Sequence, residues 1–156
     1  MIDPVDLGEL TGAERRFAET MVRRLRRGAR MIAGTFCEAL VADALPGSVE
    51  SEFGVAPWDL EWDGIKIEVK ASRVGSWQVP ERAMRDGKRI KARRADVYVF
   101  GALDGDDLDG GWEFYVIPTC VLNERGKNSI TLRAIRGIVD PIGLDGLAQA
   151  VRTAAR

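Results

Sequence analysis

Two carboxylates and one lysine lie close together in the chain, in a pattern that can hold a cation. Asp59 and Glu68 are nine positions apart, and Lys70 follows Glu68 after one residue. Carboxylate oxygens are the ligands that hard divalent cations prefer, and a neighbouring ammonium group neutralises negative charge on a substrate. Whether these side chains meet depends on the local structure that presents them.

A β-hairpin would bring these side chains to one surface. Asp63-Gly64 is a strong signal for a two-residue type I′ turn, which requires positive φ at both residues. Such a turn sets the register of the two flanking strands. The predicted cross-strand pairs are Trp62 with Ile65, Glu61 with Lys66, Leu60 with Ile67, and Asp59 with Glu68.

Side chains alternate along each strand, so the hairpin has an apolar and a charged face. We expect Trp58, Leu60, Trp62, Ile65, Ile67 and Val69 on the apolar face, and Asp59, Glu61, Lys66, Glu68 and Lys70 on the charged face. Asp59 opposite Glu68 would destabilise the strand pair, because their Cβ atoms would be about 5 Å apart. A divalent cation between them would remove that penalty. The alternatives are a solvent-facing Asp59, and a Glu68 that forms an ion pair with Lys70 or Lys66.

The composition narrows the possible chemistry. The chain has no histidine, so catalysis would have to use carboxylates, lysine, tyrosine or a cation held by oxygens. Apolar residues make up 46% and charged residues 30% of the 156, as in soluble globular proteins. No signal peptide and no apolar run of transmembrane length is found, so we expect a cytoplasmic protein. Cys37 and Cys120 stand apart in apolar surroundings and are predicted to be buried free thiols.

The order of helical and strand patterns predicts one domain with an α/β (α+β) fold, in which a mixed central β-sheet is flanked by helices. We divide residues 1–156 into an irregular lead-in at 1–10, helices over 11–45, a sheet core over 49–135 and a terminal helix over 143–156.

Local signals predict the individual elements. Thr11 and Glu14 match a capping box, which begins a helix that should run to about Arg27. The other predicted elements are a helix over 32–44, a weak strand over 49–53, a loop with a short helix over 72–87, a buried strand over 96–102, a returning strand over 112–117, a helical turn over 119–124, an edge strand over 129–135 and a helix over 144–155.

Two basic clusters are candidates for contact with nucleic acid. The first is a stripe at helical spacing, formed by Arg23, Arg26, Arg27 and Arg30. The second follows the hairpin and contains Lys88, Arg89, Lys91, Arg93 and Arg94. The alternative for each cluster is a solvated surface without a partner.

A further acid, Glu38, is predicted at the edge of the apolar side of the second helix. A partly buried carboxylate costs free energy unless it is paired or binds a cation. The alternative is a Glu38 that reaches to solvent or to an arginine.

The segment from Asp59 to Glu68-Val69-Lys70 resembles the signature of the PD-(D/E)XK nuclease superfamily, which has the restriction-endonuclease-like fold. The proline of that signature is displaced, since Pro57 stands two residues before Asp59. The resemblance covers about Ile32 to Phe100, because the helix around Glu38 also looks like the family's first core helix.

The resemblance implies a role for each matching residue. Asp59, Glu68 and the backbone carbonyl of Val69 would bind Mg²⁺, for which Mn²⁺ would substitute. Lys70 would orient or deprotonate the attacking water and stabilise the pentacovalent phosphorus, and Glu38 would bind a metal directly or through water. Ser72 continues the charged face and Gln78 follows the motif, so both are candidates for contact with DNA. Trp77 is expected to pack, with base stacking as the alternative.

The sequence therefore predicts a Mg²⁺-dependent DNA endonuclease that hydrolyses phosphodiester bonds by in-line attack of a metal-activated water. Restriction or phage defence and DNA repair or recombination remain open as its setting. Cutting both strands would require a homodimer. The alternatives are a non-catalytic nucleic-acid-binding or assembly subunit that keeps the fold, and a domain with no nucleic-acid role.

Overall fold

The computed structural model describes residues 9–25, 32–51, 56–85, 87–91, 93–105 and 110–156, without the side chains of residues 22–25, 83–85 and 89–91.

Helices and strands alternate irregularly along the chain. The helices are α1 (Gly12–Leu25), α2 (Ile32–Ala44), α3 (Thr119–Arg125), α4 (Leu132–Arg136) and α5 (Leu147–Ala154), and a 3₁₀ turn (Leu144–Gly146) leads into α5. The strands are β1 (Val49–Glu50), β2 (Leu60–Trp62), β3 (Ile65–Ser72), β4 (Ser76–Gln78), β5 (Arg82–Arg85), β6 (Lys88–Lys91), β7 (Val97–Leu103), β8 (Trp112–Pro118) and β9 (Ser129–Thr131). None of the helices in the described ranges is long and apolar enough to cross a membrane.

Within the described residues, five strands form the central sheet in the order β1-β2-β3-β7-β8. β3 and β7 are parallel, whereas the other neighbours are antiparallel. Two small antiparallel sheets, β4-β9 and β5-β6, lie outside it. The predicted mixed α/β fold is confirmed.

A hydrophobic cluster covers each face of the central sheet. On the first, Cys37 and Val41 of α2 and Val151 of α5 pack with strand residues such as Ile67 and Val99. The second cluster contains Trp77, Tyr98, Phe100, Tyr115 and Ile130. All seven residues of β7 are buried, as predicted for a central strand.

Local sequence signals predicted the helical part of the fold well. The Glu14 amide donates to Thr11 Oγ1 at 3.2 Å, and the Thr11 amide donates to Glu14 Oε2 at 2.8 Å, which confirms the capping box. α2 has the predicted bounds. Cys37 is buried as expected, whereas Cys120 is exposed because it lies on the outer side of the short α3.

Two predicted elements were wrong. Residues 76–78 and 82–85 are strands, where we expected loop and a short helix. The predicted edge strand over 129–135 ends at Thr131, whose side chain accepts a hydrogen bond from the Ala134 amide and caps α4. Residues 82–85 form β5, which pairs with the adjacent β6, whereas β4 and β9 pair with each other across about 50 positions. Propensity within one short segment does not report such a long-range partner.

Candidate active site

The β2–β3 hairpin has the predicted turn and register. Asp63 has φ +49° and Gly64 has φ +78°, as a type I′ turn requires. The three predicted pairs nearest the turn are present: Trp62 with Ile65, Glu61 with Lys66, and Leu60 with Ile67.

Asp59 departs from the predicted register. Its amide donates a hydrogen bond of 2.9 Å to the carbonyl of Ile67. Ile67 is already the cross-strand partner of Leu60, so two residues of one strand lie opposite one residue of the other. This is the arrangement of a β-bulge. Asp59 is therefore not the direct cross-strand partner of Glu68. Instead, its Oδ2 accepts a hydrogen bond of 2.8 Å from the Val69 amide, in the position that a ladder bond would take.

The bulge also reverses the side on which Trp58 lies. We expected Trp58 on the apolar face with Leu60 and Trp62, but it packs against the second cluster, on the opposite side of the sheet. There, Lys66 Nζ lies 4.5 Å from the centroid of the Trp58 ring. One extra residue in a strand shifts the alternation by one step, which accounts for the change.

Glu68 and Lys70 lie beside the parallel strand β7. Glu68 is level with Tyr98, and Lys70 is level with Phe100. Lys70 Nζ lies 2.5 Å from Glu68 Oε1, and their side chains are 33% and 16% exposed. The ion pair that we considered as an alternative role for Glu68 is thus present, in a partly buried setting that remains open to a ligand.

The charges of three acids converge on Lys70. Burial lowers the pKa of the Lys70 ammonium, but the charge and hydrogen bond of Glu68, followed by the charges of Asp59 and Glu38, raise it above its ordinary value. Lys70 is therefore a cation at neutral pH, as expected for a lysine beside carboxylates. Glu38 belongs to α2, so charges from α2 and from the hairpin both act on Lys70.

Two of these acids also act on the Cys37 thiol, which lies on α2. Burial, together with the charges of Glu38 and Asp59, raises the pKa of the Cys37 thiol well above its ordinary value. Its Sγ also sits against β7, because a Cβ added at Gly101 would lie only 2.5 Å from it and 3.1 Å from the Trp112 ring. Glycine at this position lets α2 approach the sheet and carry Glu38 to the site.

Gly101→Ala is expected to lower the free energy of unfolding by about 1–3 kcal/mol, the usual cost of an overpacked core. Urea unfolding of Gly101→Ala, Cys37→Ala and the double variant would measure it. Since Cys37→Ala removes the nearest clashing atom, the double variant should lose less stability than the sum of the singles. An unchanged Gly101→Ala midpoint would contradict the close approach.

The acids supply a donor set of hard oxygens. Across the described residues, no group of three or more Asp, Glu or Cys side chains is arranged closely enough to hold a metal ion. Mg²⁺ does not need such a group, because it is commonly held by one or two carboxylates, with waters and substrate phosphates completing its coordination. Asp59 and Glu68 are two carboxylates whose charges both act on Lys70.

Ser72, Gln78 and Trp77 follow the site along the chain. Ser72 Oγ accepts hydrogen bonds of 3.2 Å from the amides of Val74 and Ser76, so it shapes the turn after β3. Gln78 is exposed at the end of β4. Trp77 is buried with its ring 5.4 Å from that of Phe100, which confirms packing as its role.

The two basic clusters differ in what the structure says of them. Arg26, Arg27 and Arg30 lie outside the described residues, and Arg23 lies in α1 with an undescribed side chain. In the second cluster, Lys88, Arg89 and Lys91 belong to β6, and only Lys88 has a described side chain, which is exposed. Arg94 is exposed after β6.

Arg93 was assigned incorrectly to the nucleic-acid surface. It is only 4% exposed. Its guanidinium donates to the Val79 carbonyl at 3.0 and 2.7 Å, to the Leu122 carbonyl at 3.2 Å and to the Lys127 carbonyl. Its planar set of donors meets several carbonyls at once, so Arg93 holds neighbouring segments together instead of facing solvent.

Sequence reasoning missed a second polar group on the same face of the sheet. Arg136 donates to Glu113 Oε2 at 2.8 Å and to the Tyr115 hydroxyl at 3.0 Å, and that hydroxyl donates to Glu113. The hydrogen bonds from Tyr115 and Arg136 lower the pKa of Glu113. Tyr115 is level with Phe100 in the register, and thus two strands from Lys70. Only the alternation of Glu113 and Tyr115 in β8 hinted at this group.

No protein-family model matches the chain, and no curated protein matches it.

Proposed function

We propose that the chain is a Mg²⁺-dependent DNA endonuclease of the PD-(D/E)XK type, with a restriction-endonuclease-like fold. The observation that carries the proposal is that the Asp59 carboxylate accepts a hydrogen bond from the Val69 amide, between Glu68 and Lys70, whose side chains form an ion pair at 2.5 Å. The charges of Asp59 and Glu38 also raise the pKa of Lys70. Support also comes from the packing of α2, the β2–β3 hairpin and β7, the three elements that the resemblance covers.

The bulge at Asp59 gives the site its access. β2 pairs with β3 only from Ile65 to Ile67, and no further strand pairs with β3 on that side in the described parts of the chain. At this point the Val69 amide donates its hydrogen bond to the Asp59 carboxylate instead of to a strand carbonyl. Strand edges of this kind, next to a bulge, often re-aim side chains toward an active site.

Each residue then has a role that its environment favours. Asp59 and Glu68 would hold Mg²⁺, with the Val69 carbonyl and Glu38 as further ligands, directly or through water. When bound there, Mg²⁺ supplies a Lewis acid for the scissile phosphate. Lys70 would place a fixed positive charge beside the phosphate and stabilise the negative charge that develops on it. As one such site cuts one strand, cleavage of both strands would engage a second copy of the chain.

Incubation of supercoiled plasmid with the protein in Mg²⁺, Mn²⁺ or EDTA tests the proposal. We expect nicked or linear products with either metal and none with EDTA. Asp59→Asn keeps an oxygen for the Val69 amide but removes the charge, so it should slow cleavage by on the order of 10²–10³-fold. The matched control is Glu61→Gln, which removes one exposed acid from β2 and should cleave at the normal rate.

Two results would count against the assignment. If Asp59→Asn cleaves as fast as Glu61→Gln, Asp59 is not part of the site. If the protein binds DNA in a salt-dependent way but cleaves no supercoiled, linear or branched substrate, the alternative of a non-catalytic nucleic-acid-binding subunit is favoured. The partly buried ion pair between Lys70 and Glu68 is the observation that keeps this alternative open, since it satisfies both charges without a metal.

A further inference from the structure

The β5–β6 hairpin is a separate two-stranded ribbon. The two strands pair only with each other, from Arg82 opposite Lys91 to Arg85 opposite Lys88, and join neither of the other described sheets. Gly87 at its turn has φ +72°, which favours glycine. An isolated two-stranded hairpin is only marginally stable in water, so this ribbon needs support from its ends or from a partner.

The ribbon carries a dense positive charge. Five of the ten residues from 82 to 91 are basic, namely Arg82, Arg85, Lys88, Arg89 and Lys91, and one is acidic. Two of its four cross-strand pairs, Arg82 with Lys91 and Arg85 with Lys88, place like charges opposite each other. Such pairs destabilise a hairpin, and bound anions would remove the cost.

The ends of the ribbon are fixed to the body of the protein. Arg93, after β6, donates to the carbonyl of Val79, before β5, and to the carbonyls of Leu122 and Lys127. The Glu81 amide also donates to Asn128 Oδ1 at 3.2 Å. A charged ribbon is thus held at its base by a buried guanidinium.

The base of the ribbon lies on the face of the sheet that carries Lys70. Val79 and Ala95, which flank the ribbon in the chain, are buried in the same cluster as Tyr98 and Phe100. Tyr98 and Phe100 are the neighbours of Glu68 and Lys70 in the register. The base of the ribbon and the candidate active site therefore share one face of the central sheet.

We propose that β5–β6 is an arm that enters the major groove of duplex DNA and contacts the phosphates on both sides of it. This deepens the proposed function, on which it rests for the choice of DNA. The major groove is about 12 Å wide and admits a two-stranded ribbon. Each four-residue strand spans roughly 13 Å, so basic residues along the ribbon reach both walls of the groove.

The composition of the arm selects duplex DNA over other nucleic acids. Residues 82–91 include no Trp, Tyr or Phe, whereas proteins that grip single strands stack bases on aromatic side chains. Duplex RNA is disfavoured because its major groove is too narrow for side chains to enter.

DNA binding in EDTA, measured by fluorescence anisotropy across a salt series, tests the arm without any cleavage. Arg82→Gln/Lys88→Gln removes two exposed charges from the ribbon, and Arg152→Gln/Arg156→Gln removes two exposed charges at the carboxyl end of the chain, where α5 packs on the other face of the sheet. Loss of two phosphate contacts should reduce the slope of log affinity against log salt by about 1.8 for the arm variant. The control variant should keep the slope of the wild type.

The possible outcomes distinguish a failure of the arm proposal from a failure of the endonuclease proposal. Equal slopes for both double variants, equal loss on single-stranded DNA, or no binding by the wild type would overturn the arm. If the wild type binds and the arm variant loses slope, but no metal supports cleavage, the arm stands and the endonuclease proposal fails. If cleavage is metal-dependent and the arm variant binds as the wild type does, the endonuclease stands and the arm fails.

Discussion

Lys70→Met is expected to lower the rate of Mg²⁺-dependent DNA cleavage by on the order of 10³-fold, with a much smaller effect on DNA affinity. The charges of Glu68, Asp59 and Glu38 all act on the Lys70 ammonium and raise its pKa above the ordinary value. A fixed cation at that place stabilises the charge that develops in the transition state more than it stabilises the bound ground state. Its loss therefore affects the rate constant more than binding.

Single-turnover cleavage with saturating enzyme would measure that rate constant directly. Lys66→Met is the matched control, because Lys66 lies on the same strand and its ammonium stacks on Trp58. Lys70→Arg keeps the charge but replaces a compact ammonium by a wide planar group, so it should recover only part of the rate. Equal rates for Lys70→Met and Lys66→Met would show that Lys70 has no special part in the reaction.

The protein should still fold without Lys70, but with reduced stability. Glu68, whose side chain is 16% exposed, would lose the cation that pairs with it. Removing one partner of a partly buried ion pair costs more than the roughly 1 kcal/mol of an exposed pair. An intact circular-dichroism spectrum with lost cleavage would therefore assign the effect to chemistry.

Arg93→Met is expected to lower the free energy of unfolding by about 3 kcal/mol. We expect this loss to exceed that of any other substitution of a basic residue outside the candidate active site. The substitution leaves the carbonyls of Val79, Leu122 and Lys127 without the guanidinium that now donates to them. Unmet buried acceptors cost about 1–3 kcal/mol each. The cost is partly offset because the Leu122 carbonyl still accepts from the Gly126 amide and because a buried charge is also removed. For a chain of 156 residues the midpoint of thermal unfolding should fall by roughly 6–12 °C.

Arg94→Met provides the comparison, since Arg94 is the next residue and is exposed. We expect it to change the unfolding midpoint by less than about 2 °C. Arg93→Lys keeps the positive charge but loses the planar set of donors of the guanidinium. Its stability should therefore lie between those of the wild type and Arg93→Met. A shift of Arg93→Met no larger than that of Arg94→Met would contradict the anchoring role.

Part of the geometry of the candidate site could be predicted because it follows from short-range patterns. The type I′ turn at Asp63-Gly64 and alternation along the strands identified Glu68 and Lys70 as neighbours on one face. The absence of histidine had already restricted the possible chemistry to carboxylates, lysine, tyrosine and cations held by oxygens. The bounds of α2 and the capping box of α1 followed from helical periodicity and cap residues, which are equally local.

Other features depended on contacts between distant parts of the chain. Ideal alternation placed Asp59 opposite Glu68 and Trp58 on the apolar face, and both errors come from one bulge. A bulge forms when the hydrogen bonds of the partner strand favour it, here through the Ile67 carbonyl and the Val69 amide. Similarly, a run of basic residues gave no sign that Arg93 would turn inward, because its partners come from segments up to 34 positions away.

The sequence by itself thus determined which residue types are available for chemistry and which of them share a strand or a helix, because these properties repeat over two to four positions. Tertiary structure decided which carboxylates lie near Lys70. Glu38 arrives there because Gly101 lets α2 lie close to β7, and Asp59 because a bulge turns it toward the Val69 amide. Both depend on packing and hydrogen bonding between segments far apart in the chain, which no local pattern encodes.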